Sequence, residues 1–125
     1  MRFIAWVVAL GGLLSTSQAH AYPRMPHQGA FGAFLSEIAS AARRSDMRAI
    51  RRMTDREFTI GEELDRETSL AALARDASMR KWLAATADHG TCYRTAPTVV
   101  QCELGASIAM IGHTRHGWRL SAFYA

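Results

Sequence analysis

Residues 91–124 read TCYRTAPTVVQCELGASIAMIGHTRHGWRLSAFY, and this stretch decides the architecture. Thr91 to Thr95 and Val99 to Leu104 are extended runs about a turn at Pro97. Ser107 to Gly112 and Trp118 to Tyr124 form a second pair about His113–Gly117. In the last run Trp118, Leu120, Ala122 and Tyr124 fall on one face, and Arg119, Ser121 and Phe123 on the other. Folding about Arg115 sets Met110 opposite Leu120 and Ile108 opposite Ala122, an apolar pairing that specifies a register. Folding about Pro97 sets Cys92 opposite Cys102, within bridging reach on neighbouring antiparallel strands.

Upstream the period changes from two to that of a helix. Phe31, Phe34, Leu35, Ile38 and Ala42 lie on one helical face, with Arg43 and Arg44 at the carbonyl end. Ser45 and Asp46 cap a second, shorter helix that turns Met47, Ile50 and Met53 inward, making a helical hairpin. Glu57–Glu67 is irregular, apart from a short extended run, Phe58–Gly61. Leu70, Leu73 and Ala74 resume helical spacing behind the candidate caps Thr68 and Ser69. Met79, Trp82 and Leu83 continue it to Gly90, suited to the residue after a helix end. The pattern over 69–89 fits one bent helix or two. Helices first and an antiparallel sheet of about four strands last predict an α+β domain over residues 30–125.

Before it lie Tyr22–Gly29, with two prolines and no periodicity, read as a flexible leader, and a targeting segment. Arg2, the apolar run Phe3–Leu14 and Ala19-His20-Ala21 have the order of a secretory signal cleaved after Ala21. The apolar run spans ~18 Å, short of a ~30 Å hydrocarbon core, so no stable membrane anchor is expected after cleavage. The expected location is therefore periplasmic or secreted, where Cys92 and Cys102 would form a disulfide. Two cysteines in 125 residues exclude a disulfide-dense miniprotein, and the ordinary composition excludes a disordered or collagen-like chain.

Arginines 43, 44, 48, 51, 52 and 56 crowd one stretch, and Arg48, Arg51, Arg52 and Arg56 form a candidate anion or partner surface. The acids that follow (Glu57, Glu62, Glu63, Asp65 and Glu67) reverse the sign, so the two blocks neutralise each other or form solvated faces. Without the signal, 14 basic and 11 acidic side chains remain, too even a balance for a nucleic-acid partner. His113 and His116 share a turn with no acid beside them, so no metal site is expected. No serine elbow, phosphate loop or helical His-Glu-x-x-His occurs, and no catalytic residue or cofactor is assigned. Trp82, Tyr93, Trp118 and Tyr124 are core residues or line a pocket between helix and sheet.

The hairpin Phe31–Met53, of the form F-x-x-F-L-x-x-I followed by D-M-R-A-I, resembles the opening of NTF2-like (SnoaL-type) α+β cone domains. The ending Gly117–Phe123 resembles the closing strand of many small exported bacterial proteins. The first resemblance implies a sheet curled around helices, used variously in enzymes, binding modules and immunity factors, and brings no catalytic motif with it. Arg94–Pro97, Val99-Val100 and Gly112–Leu120 also resemble bacterial SH3-like barrels, which implies a closed five-strand barrel. The resulting expectation is an exported module that binds a protein, an envelope polymer or a small ligand. The alternatives are a small cone-fold enzyme and an envelope-facing or toxin-neutralising protein.

Overall fold

A computed structural model describes residues 22–62 and 65–125, and residues 1–21, where a signal is expected, lie outside the described residues. The described chain is α+β. It runs α1 (Gly29–Arg43), α2 (Met47–Arg52), β1 (Thr54–Ile60), α3 (Arg66–Arg75), α4 (Ala77–His89), then β2 (Thr91–Ala96), β3 (Val99–Leu104), β4 (Ser107–Thr114) and β5 (Gly117–Tyr124). The five strands form one open sheet in the order β1-β5-β4-β3-β2. Four strands follow one another antiparallel, whereas β1 pairs parallel with β5.

The hairpin α1–α2 forms where the apolar spacing places it. Phe31, Phe34, Leu35, Ile38 and Ala42 are all buried. Asp46 accepts from the Ala49 N–H at 3.1 Å and so opens α2, while Arg44 closes α1. The segment 69–89 is two helices. Asp76 ends α3 and caps α4 by accepting from the Met79 N–H at 3.0 Å. The cap of α3 is Asp65, which accepts from the Thr68 N–H at 2.7 Å, in place of the expected Thr68 or Ser69. Ser69 is instead fully buried, and its hydroxyl accepts the Ile60 N–H at 2.9 Å.

The sheet corrects the expected strand count from about four to five. The fifth is β1, which begins four residues before the expected run Phe58–Gly61 and buries Phe58 completely. Parallel pairing across such a sequence distance leaves no local turn signal to read. The Cys92–Cys102 register is as expected about Pro97. The other hairpin differs. Met110 faces Ala122 and Ile108 faces Tyr124, and the β4–β5 ladder slips by one between Met110 and Ile111. Ser121 is the extra residue, a bulge whose hydroxyl donates to the Met110 carbonyl at 3.1 Å. The turn itself is only Arg115–His116, because His113 and Thr114 belong to β4.

The core lies between the helices and one face of the sheet. Phe31, Leu35, Ile38, Leu73 and Leu83 meet Val100, Ile111, Leu120 and Phe123, all at most 2% exposed. The segment read as a flexible leader is hydrogen-bonded to β2. Met25 N–H donates to the Cys92 carbonyl at 2.8 Å, and Arg94 N–H to the Pro23 carbonyl at 3.0 Å. Gly32 permits this: a Cβ there would lie 2.7 Å from the His27 carbonyl carbon.

Candidate functional site

The arginine segment is split by the turn between α1 and α2, which parts Arg43 and Arg44 from the others, and Arg44 pairs with Asp46 at 3.6 Å. Arg51 makes a two-pronged bridge to Glu67, 2.8 Å on each arm. The Arg51 guanidinium holds the Glu67 carboxyl below the usual carboxylate range, chiefly through this hydrogen bond, and Arg51 is raised in return. The Thr68 N–H similarly lowers Asp65. Arg66 donates to the carbonyls of Asp55 and Arg51 and ties β1 to α3. Arg48, Arg52 and Arg56 are exposed and form no ion pair among the described residues. Arg52 borders a depression that also contains Arg44 and the acids Glu37 and Asp46.

The four residues read as core or pocket lining are dispersed to three places. Trp118 is in the core, 5.0 Å from the Phe31 ring and 4.5 Å from the His113 ring. His113 belongs to the end of β4 rather than to the turn, and it stays exposed while one side of its ring lies against the Trp118 indole. Trp82 is 47% exposed on α4. Tyr93 and Tyr124 stand on the sheet face turned away from the helices.

That outer face has two rows fixed by the ladder. One is Tyr93, Gln101, Met110 and Ala122; the other is Thr91, Glu103, Ile108 and Tyr124. Tyr93, Gln101, Ile108, Met110 and Tyr124 are each half-buried there, and among the described residues the helices pack on the opposite face. Gln101 donates to Glu103 at 2.5 Å, which fixes the polar edge of the patch. Both sheet edges are already engaged, β2 by residues 23–25 and β1 by Ser69 and Arg66.

No family model, curated protein or solved structure matches the chain.

The Sγ atoms of Cys92 and Cys102 are 2.02 Å apart, at disulfide distance. His27 Nε2 lies 3.5 Å from the Cys92 sulfur and 3.1 Å from the Gly90 carbonyl oxygen. His27 lies in the stretch without periodicity, so this contact carries no local signal in the sequence. Among the described residues no three His, Cys, Asp or Glu side chains converge as metal ligands, and no helix is long and apolar enough to cross a membrane. A cleft of about 470 Å³ lies between α1 and α4 and is bordered by Arg43, Arg80, Lys81 and His89. Alanines recur at helical spacing on both helices, at 39 and 42 and at 84 and 87, and mark their close approach in the sequence.

Proposed function

We propose that the protein is an exported binding module that docks a protein partner on the outer face of its sheet. The observation that carries this reading is the patch of Tyr93, Gln101, Ile108, Met110 and Tyr124, which no described helix covers and which lies apart from the described core. Aromatic side chains and methionine are enriched at protein interfaces, and a flat patch of them ringed by polar groups suits a protein surface better than a small molecule. Addition of a partner strand at an edge is disfavoured, because both edges are engaged. In this reading residues 1–21 direct export and are removed after Ala21, and the paired cysteines are oxidised outside the cytoplasm.

The docking claim is tested by placing a photo-crosslinking residue at Met110 and, separately, at Arg48 on the helical side. A discrete adduct from position 110, lost on Tyr93→Glu and missing from position 48, supports it. Equal adducts from both positions, or none from position 110, refute it. Export is tested by the mass of the recovered protein. A chain beginning at Tyr22 supports cleavage, and a cytosolic chain retaining Met1 refutes it.

A further inference from the structure

We infer that the Cys92–Cys102 bridge is a thiol-exchange site gated by residues 22–28, a strap that lifts off β2 and lets a dithiol reach Cys92. The inference rests on the bridge being formed and is independent of the docking reading. Exchange requires a thiolate to reach one sulfur of the bridge, so access decides reactivity. Cys92 is 2% and Cys102 0% exposed, which closes the bridge to thiols while the fold is intact. The two sulfurs differ in what lies beyond them. Cys102 stands on β3, inside the sheet, whereas Cys92 stands on β2, the last strand of the sheet order. Past β2 runs the strap, bridged to it through Arg24 and Tyr93. A thiolate attacking Cys92 in line with the departing Cys102 sulfur therefore arrives from the strapped side. His27 stands there, with Nε2 3.5 Å from the Cys92 sulfur. A depression of about 280 Å³ beside Cys92 is walled by strap residues 24–27 and by Gly90 and Thr91.

The strap is held by few contacts. Every residue in it except Met25 is exposed, and Pro23 and Pro26 have no N–H to donate. Its ties are the two backbone bonds to β2, the His27 contact with the Gly90 carbonyl, and the Arg94 guanidinium against the Met25 sulfur at 3.6 Å. Gly29, with φ +58° and open space around its Cα, joins the strap to α1 and supplies a hinge. Little buried apolar surface and exposed backbone bonds mark a segment that opens locally, ahead of the whole fold. The seat is also narrow. Because a Cβ on Gly32 would lie 2.7 Å from the His27 carbonyl carbon, that glycine sets how closely the strap settles. With the strap lifted, one thiolate of a dithiol bonds to Cys92 Sγ and the bridge breaks. The electron pair leaves on Cys102 Sγ, which takes up a proton. The second thiol then closes on the first and releases Cys92, so the bridge gains two hydrogens and the dithiol loses two.

The test is reduction of the oxidised exported protein by excess dithiothreitol, followed by acid quench and mass measurement. In the unmodified protein the rate at low urea should exceed that of global unfolding and change little with urea, as local opening requires. His27→Ala, which removes the cover, and Gly32→Ala, which pushes the strap from its seat, should each speed reduction by about tenfold or more. A glutathione adduct caught by the quench should sit on Cys92. A rate in the unmodified protein that follows urea as steeply as global unfolding would overturn the assignment, a readout that holds even if a variant misfolds. So would an unchanged rate in a folded His27→Ala protein, or an adduct on Cys102.

Discussion

Leu120 and Phe123, three positions apart in one strand, are buried on the same face of the sheet. Regular alternation would set them on opposite faces. The bulge at Ser121 removes the conflict, so Phe123 joins the core and Tyr124 turns outward.

Phe123→Ala should therefore cost about 3–5 kcal/mol in urea unfolding, the range for emptying a buried aromatic site. Tyr124→Ala should cost much less, because its ring belongs to the outer patch. The opposite ranking would restore the regular strand and remove Tyr124 from the docking face.

Gly90 is constrained by proximity rather than by its dihedral angles. It ends α4 at φ −67°, open to any residue, yet an added Cβ would sit 2.3 Å from the Thr86 carbonyl oxygen and 3.1 Å from that of Glu103. Gly90→Ala should destabilise by about 1–3 kcal/mol, as overpacking does elsewhere. A thermal melt unchanged from the parent would mean that α4 and β3 do not approach this closely.

The Arg51–Glu67 bridge sets one term of the acid response. Because the folded state depresses the Glu67 carboxyl, its contribution is present above the unfolded-state pKa and is lost as pH falls through the lower folded value. The difference in melting temperature between the parent and Glu67→Gln should shrink on acidification and also with added salt, since both partners are solvent-exposed. A difference independent of pH would show that the bridge does not couple to folding.

Linking Cys92 to Cys102 closes a short ring, with a sequence separation of 10. Reduction should lower stability by about 2–3 kcal/mol through the unfolded state, and the oxidised protein should be two hydrogens lighter. Unreacted thiols in protein recovered from outside the cytoplasm would contradict the export reading.

The parts of this fold legible in the sequence are those built from neighbours along the chain. The α1–α2 hairpin, the Cys92–Cys102 register and the aliphatic face of α1 all follow from spacing and turn residues. What escaped was set by distant pairing or by a single inserted residue. The β1 strand is defined by β5, far along the chain, and its own residues (Thr54–Ile60) include three charges that mimic a loop. Ser121 is one small polar residue in an alternating run, and nothing local marks it as a bulge. Trp82, read as core or pocket lining, is exposed because burial on α4 falls to Leu83, Ala84 and Ala87. Of the candidate surfaces, the arginine cluster is visible as a run of charge, but the pairing of its one member Arg51 with Glu67 depends on α3 folding back beside α2.

The place of β5 in the sheet has a consequence for biogenesis. The strand nearest the carboxyl end is wedged between β1 and β4 and supplies the seam that joins the two halves of the molecule. A nascent polypeptide lacking those residues has no way to knit Thr54–Ile60 to the rest. Docking of Thr54–Ile60 therefore waits for Gly117–Tyr124, and folding of the sheet is held back until that strand has been made.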